Sequence, residues 1–301
     1  MRLYFFTLLL LCSKIAAGQT LAELEQQLDS LLQKKQRSEV MIGIGYGNNP
    51  AYSSKVNSFD LPIVLKPYLA PSISYYHKSG FYGSASSYYM LKSEGKPWFE
   101  WDLTGGYDYT KNKNLLTGIS YTRYLFADSS DVPTTPIKNE LYAYFYYRKW
   151  WLQPGAAMDF GWGKHISQNN QIRETLKGND FNFIASVRHP FKFFGIFHLG
   201  DACIITPAVN LTFGTANYFS NLKAFQYLVW NTKPTRNHAP GKEMNFEDHS
   251  DFEARAIDLT LNISYFIGPF TVTPTFALFK PFTGTNQSVM SYFTTGVFYS
   301  F

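Results

Sequence analysis

Residues 257–267 read Ile257-Asp258-Leu259-Thr260-Leu261-Asn262-Ile263-Ser264-Tyr265-Phe266-Ile267. Apolar side chains occupy every odd position, and Asp, Thr, Asn and Ser separate most of them. A period of two sends the two sets to opposite faces of an extended strand. The pattern recurs upstream. Phe99, Trp101, Leu103, Tyr107 and Tyr109 alternate with Glu100, Asp102, Thr104 and Asp108. Leu141, Ala143, Phe145 and Tyr147 alternate with Glu140, Tyr142, Tyr144, Tyr146 and Arg148. Strands with one apolar and one polar face fit a soluble sandwich as well as a barrel.

The connections discriminate between the two. Strands are expected at approximately 40–47, 64–77, 81–91, 97–110, 115–127, 138–148, 152–165, 179–190, 202–215, 251–267, 270–283 and 288–301. That makes twelve, with ten and fourteen left open by one hairpin more or less. One set of connections is 48–63, 92–96, 128–137, 166–178, 216–250 and 284–287, mostly long and polar. The other is 78–80, 111–114, 149–151, 191–201 and 268–269, mostly tight. Short turns on one rim and long loops on the other mark an outer-membrane barrel. The expected fold class is therefore all-β: a closed antiparallel transmembrane β-barrel of about twelve strands over 39–301. An even strand count puts both termini on the short-turn, periplasmic side.

Composition narrows the field in the same direction. The 301 residues carry net charge +5, 16% charged and 18% aromatic residues. A disordered chain would be poor in aromatics. Mean hydropathy is −0.20, and the sequence past its N-terminus has no run of about 18 apolar residues to span as a helix. Residues 1–18 read as a secretory signal peptide: Arg2, then apolar Leu3 to Leu11, then small Ala16 and Gly18. Cleavage there leaves Cys203 alone, in the run Cys203-Ile204-Ile205, as a buried or lipid-facing thiol. Within 19–38, Thr20 and Glu23 form a capping box, and Leu21, Leu24, Leu28 and Leu31 share a face. An amphipathic periplasmic helix over 20–37 follows. It docks on the barrel or membrane surface, or meets a periplasmic partner.

Lipid leaves no unpaired backbone group, so a spanning sheet must close on itself. Apolar side chains then face lipid and polar ones the lumen. Trp98, Trp101, Trp150, Trp151 and Trp162 fall near strand ends, where interfacial girdles form. Parity sends Lys66, Glu100, Asp102, Glu140, Arg148, Asp159, Arg188 and Asp258 inward. Arg123 shares parity with Leu115, Ile119 and Tyr121, yet a mid-bilayer Arg on lipid costs about 2–4 kcal/mol. It is therefore placed in the lumen too, through a bulge near Gly118. Mixed signs point to a cross-linked interior, through which a narrow pore can still run.

The last strand ends on Phe301, with Phe293, Val297 and Tyr299 at alternating positions before it. It resembles the C-terminal recognition strand of bacterial outer-membrane β-barrels. That resemblance implies an insertion signal read by the barrel-assembly machinery, with outer-membrane lipid and lipopolysaccharide as surroundings. The Ala-Gly-Gln leader end and the abundant Tyr resemble Bacteroidota proteins. His165-Ile166-Ser167, with Asn179 twelve residues after Ser167, is faintly similar to outer-membrane phospholipase A. That similarity implies Ser167 as nucleophile, His165 as base and Asn179 as its orienter. Gln168 and Asn169 depart from that family's pattern, and parity points His165 to the lumen.

The longest connection, 216–250, holds Leu222, Phe225, Leu228 and Val229 at helical spacing, with Trp230, Lys233, Arg236 and Lys242. It is a plug for the barrel mouth or an exposed surface for anionic glycans. His238, Glu243, Glu247, Asp248 and His249 match no compact metal motif. No Gly-rich phosphate loop, HExxH or paired-Cys motif occurs, so no cofactor or metal is expected. The positive charge is too dispersed for nucleic acid. Three readings follow: a narrow channel or uptake barrel for small solutes, a lipid-acyl hydrolase using His165 and Ser167, and a non-transporting scaffold or surface-binding barrel.

Overall fold

The computed structural model describes residues 38–48, 50–52, 63–65, 67–91, 97–109, 111–127, 137–169, 172–198, 200–215, 252–282 and 289–301. The signal peptide, the 20–37 helix, Lys66 and the 216–250 connection lie outside the described residues.

The barrel strands are β1 (Glu39–Gly47), β2 (Tyr68–Tyr76), β3 (Phe81–Met90), β4 (Trp98–Tyr109), β5 (Leu115–Phe126) and β6 (Asn139–Tyr147). They continue as β7 (Gln153–Asn169), β8 (Ile172–Arg188, resumed as Phe191–Phe194), β9 (Asp201–Gly214) and β10 (Glu253–Ile267). The last two are β11 (Phe270–Val272, resumed as Thr275–Pro281) and β12 (Met290–Ser300). The two breaks fall at His189-Pro190 and Thr273-Pro274, where proline has no N–H for the ladder. Register runs through the first break unchanged, from Arg188↔Ala208 to Phe191↔Ile205. Each strand pairs antiparallel with its sequence neighbour, and β12 closes onto β1 from Met41↔Ser300 to Gly47↔Thr294. The result is a closed barrel of 12 strands. A separate pair of three-residue strands, Pro50–Tyr52 and Ile63–Leu65, stands in the first connection.

The two rims differ as the loop lengths require. At the short-turn rim, Gly80 adopts φ 101°, closing the β2–β3 turn with its N–H on the His77 carbonyl at 2.9 Å. Asn112 turns β4 into β5 by accepting the Asn114 N–H at 2.9 Å. The termini of the barrel meet at this rim, where the Phe301 N–H donates to the Val40 carbonyl at 2.9 Å.

Two expected loops are corrected. The stretch 166–178 is no loop: β7 and β8 stay paired out to Ile172↔Asn169. The stretch 191–201 shrinks to 195–200 because β8 resumes after Pro190. There the Asp201 carboxylate accepts N–H groups from Ile196 at 2.7 Å, Phe197 at 2.9 Å and His198 at 3.1 Å. Tyr265 Oη donates to the same carboxylate at 2.6 Å. One acid thus satisfies three turn donors that the sheet cannot reach.

Polarity is inverted relative to a soluble protein. Leu103, Ile119, Leu125, Met158, Leu259, Leu261, Phe276 and Leu278 are 37–50% exposed, whereas Glu100, Glu140, Asp159 and Asp258 are at most 2% exposed. Such a surface is stable only against hydrocarbon. The five expected girdle tryptophans are all exposed, with Trp98, Trp101 and Trp162 toward the long-loop rim and Trp150 and Trp151 at the short-turn rim. Along β7, Trp151 and Trp162 bracket a stretch that spans roughly 28 Å of barrel axis at ordinary rise and tilt. That height matches the apolar band of a membrane barrel. Cys203 is buried and unbridged.

Candidate functional site

The chemistry-bearing side chains collect on the inner face of the barrel. Most of the buried acids share one half of it. Glu100, Asp102, Glu140, Asp159, Asp180 and Asp258 all lie buried in the long-loop half. They are held among hydroxyls rather than left loose. Tyr124 Oη donates to Glu140 Oε2 at 2.5 Å, Thr215 Oγ1 donates to Asp180 Oδ1 at 2.8 Å, and Thr104 and Thr122 share a 3.1 Å bond. Asp258 Oδ1 has no hydrogen-bond partner among the described residues. Beside this belt, Ala157, Ile184, Ala256, Ala277, Phe279 and Tyr292 pack into one buried apolar cluster. Small residues on some strands receive the rings of others, so this cluster narrows the bore. A second cluster of Met90 and Phe99, flanked by Tyr68 and Tyr88, lines the long-loop mouth.

The short-turn half is built differently. Tyrosines lie flat over glycines of the next strand. A Cβ on Gly155 would sit 2.2 Å from Tyr146 Cδ1, and one on Gly118 would sit 2.8 Å from Tyr144 Cε1. The missing side chain lets each ring hug the wall. Tyr144 Oη donates to Asp108 Oδ1 at 2.7 Å. Arg188 lays its guanidinium over the Tyr146 ring, 3.8 Å from the centroid. Arg148 and Lys192 follow the same inward parity at the rim, where both are exposed.

Of the expected lumen charges, the structure places Glu100, Asp102, Glu140, Asp159, Arg188 and Asp258 on the inner face and Arg148 at its short-turn end. Arg123 is a correction. It is exposed on the outer face with Tyr121 and Leu125, and β5 runs without a bulge, pairing Gly118 with Asp108 and Tyr144 in register. The mid-bilayer cost does not apply, because Arg123 lies near the long-loop end of β5. Its Nη1 donates to Asn139 Oδ1 at 2.6 Å, and Tyr121 Oη donates to the same oxygen at 2.8 Å. A long side chain near the interface carries its charge to the headgroups at little cost.

Of the hydrolase residues, His165 and Ser167 are described through their backbone pairing alone. Register sets His165 opposite Leu176 and Ser167 opposite Glu174, while Asn179 stands opposite Trp162. Asn179 is exposed on the outer face, three residues along β8 from the His165 level, roughly 10 Å of strand. Among the described residues no group of His, Cys, Asp or Glu is arranged to hold a metal ion.

Asp180 and Arg255 were missed in the sequence. Asp180 sits beside the residues read as a loop. Arg255 occupies a bulge, where register shifts between Thr212 and Phe213, so parity misdirects it. Its Nε donates to the Gly214 carbonyl at 2.7 Å and its Nη1 pairs with Glu253 at 2.9 Å. The expected insertion-signal residues Phe293, Val297, Tyr299 and Phe301 all follow the outward parity of β12, and Phe301 is 70% exposed.

No protein-family profile and no curated protein matches the chain. Among solved structures it is similar to the KdgM porin, at TM-score 0.43 and 11% identity over 87% of this chain and 99% of that one. It is similar to an outer membrane channel from Pseudomonas putida F1, at TM-score 0.46 and 10% identity over 88% and 96%. LpxR from Salmonella typhimurium aligns at TM-score 0.41 and 8% identity over 86% and 99%. Likeness at this level assigns no solute and no activity.

Proposed function

We propose that this chain is a narrow channel of the bacterial outer membrane that passes small polar solutes, with its short-turn rim and both barrel ends in the periplasm. One observation carries the reading: a closed barrel keeps a belt of carboxylates on its inner face while its outer face is apolar. Carboxylates on an inner face are costly to bury, and hydroxyls such as those of Tyr124 and Thr215 offset part of that cost for Glu140 and Asp180. The cluster around Phe279 and Tyr292 sets the size limit, and the acidic belt favours cations or zwitterions over anions in that half. Outward Arg123 at the girdle suits the phosphates of lipopolysaccharide. Single-channel recording on the refolded full chain in planar bilayers tests this. Discrete conductance steps are expected, with a cation preference that weakens in Asp159→Asn. A silent bilayer rules out an open pore.

A closed, non-transporting barrel is the second reading. It is favoured by the same apolar cluster, whose members Phe279 and Tyr292 are 2% and 5% exposed. The recording separates the two directly.

A further inference from the structure

Three cations at the short-turn mouth have no partner that explains them. β6 and β7 pair Tyr146 with Gly155, and β7 and β8 pair Gln153 with Arg188. Two pairs beyond Tyr146↔Gly155, the same register sets Arg148 beside Gln153. Arg148, Gln153 and Arg188 therefore form a row across three adjacent strands, with neighbours about 5 Å apart. Unbroken register carries the inward parity of Arg188 on to Lys192, four residues nearer the rim.

None of the three cations has an ion pair or a side-chain hydrogen bond among the described residues, and the Arg188 Nε is buried without a partner. The Gln153 side chain is also buried, with its carbonyl oxygen unpartnered. The charged neighbour acting on both Arg188 and Lys192 is Arg148, which repels them. Like charges gathered at one mouth raise the energy of an empty site and lower it when an anion enters. The guanidinium is also held in position. Tyr146 lies on Gly155, Arg188 lies on Tyr146, and Tyr146 Oη meets Ser186 Oγ at 3.4 Å, which in turn bonds Asn210 at 2.7 Å. A planar fork fixed on a ring is a preorganised donor for paired oxyanion oxygens.

We infer that Arg148, Arg188 and Lys192 form an oxyanion site at the short-turn mouth of the lumen, for a soluble solute bearing two or more carboxylate or phosphate groups. Lumen-facing parity selects a dissolved solute over a lipid headgroup. The site goes beyond the channel reading, because equilibrium binding needs no conduction.

Isothermal titration of the full refolded chain in an uncharged detergent tests it, with citrate and inorganic phosphate as probes. Saturable one-site binding of citrate is expected. Arg188→Gln and Arg148→Gln should each weaken it about ten- to hundredfold, the worth of a charge-assisted bond. Arg188→Lys keeps the charge but loses the stacked fork and should fall between. Lys113→Gln, in the β4–β5 turn, should leave binding unchanged. Heat-modifiable mobility on gels reports whether each variant forms the barrel. Should Arg188→Gln fail to form it, the rim pair Arg148→Gln and Lys192→Gln must still abolish citrate binding. Absence of saturable binding, or an equal loss in Lys113→Gln, overturns the site. Displacement of citrate by added phosphatidylglycerol overturns the soluble-solute assignment. Silent bilayers with intact citrate binding sink the channel reading alone.

Discussion

Gly155 shows how a single residue shapes the bore. Its missing Cβ leaves room for Tyr146, and Tyr146 in turn supports Arg188. Gly155→Val forces the ring off the wall, since the contact at 2.2 Å leaves no slack. Overpacking of this kind costs about 1–3 kcal/mol. A lower urea midpoint for refolded protein in detergent is the expected result, together with weakened citrate binding. Gly105 is the matched control. It is exposed on the outer face with nothing within 4 Å of an added Cβ, so Gly105→Ala should shift stability by no more than about 0.5 kcal/mol. Arg123 carries the opposite lesson about single residues. Parity in Ile119, Tyr121, Arg123 and Leu125 was the right guide, and the charge was the wrong one. The penalty for a lipid-facing cation depends on depth, and strand ends drawn from sequence are too imprecise to supply that depth.

Elements carry the next set of consequences. The 195–200 turn rests on Asp201, which accepts three backbone N–H groups and the Tyr265 hydroxyl. Asp201→Ala orphans them, at about 1–3 kcal/mol for each donor that water does not reach. Faster amide exchange confined to 195–201 and the adjoining ends of β8 and β10 is expected. Exchange lost over the whole barrel would show that the turn holds more than itself. Strand β12 makes a contrasting case. Phe301 lies past the last paired residue and is largely exposed, touching Tyr299 with ring centroids 4.7 Å apart. Phe301→Ser should leave detergent refolding within about 0.5 kcal/mol of the parent. In cells it should sharply reduce assembled barrel, read as heat-modifiable protein in the outer-membrane fraction. Unchanged assembly in cells contradicts the insertion-signal reading.

Strands were legible in the sequence wherever one face met lipid and the other the lumen. That holds from Phe99 to Tyr109 and from Ile257 to Ile267. Legibility failed where that contrast vanished. Past His165 and before Asn179 the β7–β8 hairpin is rich in polar residues such as Gln168, Asn169 and Lys177, so its strands lack alternation and read as a loop. Bulges at Phe99 and Arg255 move one residue against parity, and no local residue type announces them. The carboxylate belt, Asp180 excepted, followed from parity. The oxyanion site did not, because it depends on which three strands are adjacent and on the level at which Gln153 meets Arg188.

At the scale of the whole molecule, one asymmetry organises everything else: the greasy face looks outward and the acidic face inward. The barrel polarity, the girdles and the lumen site all stand on it. It is tested most directly by spin labels placed singly at 258, 259, 260, 261 and 262 in a Cys203→Ser background, reconstituted in liposomes. Collision rates with lipid-dissolved oxygen should be high at 259 and 261 and low at 258, 260 and 262. The opposite phase, or no alternation, would contradict the account.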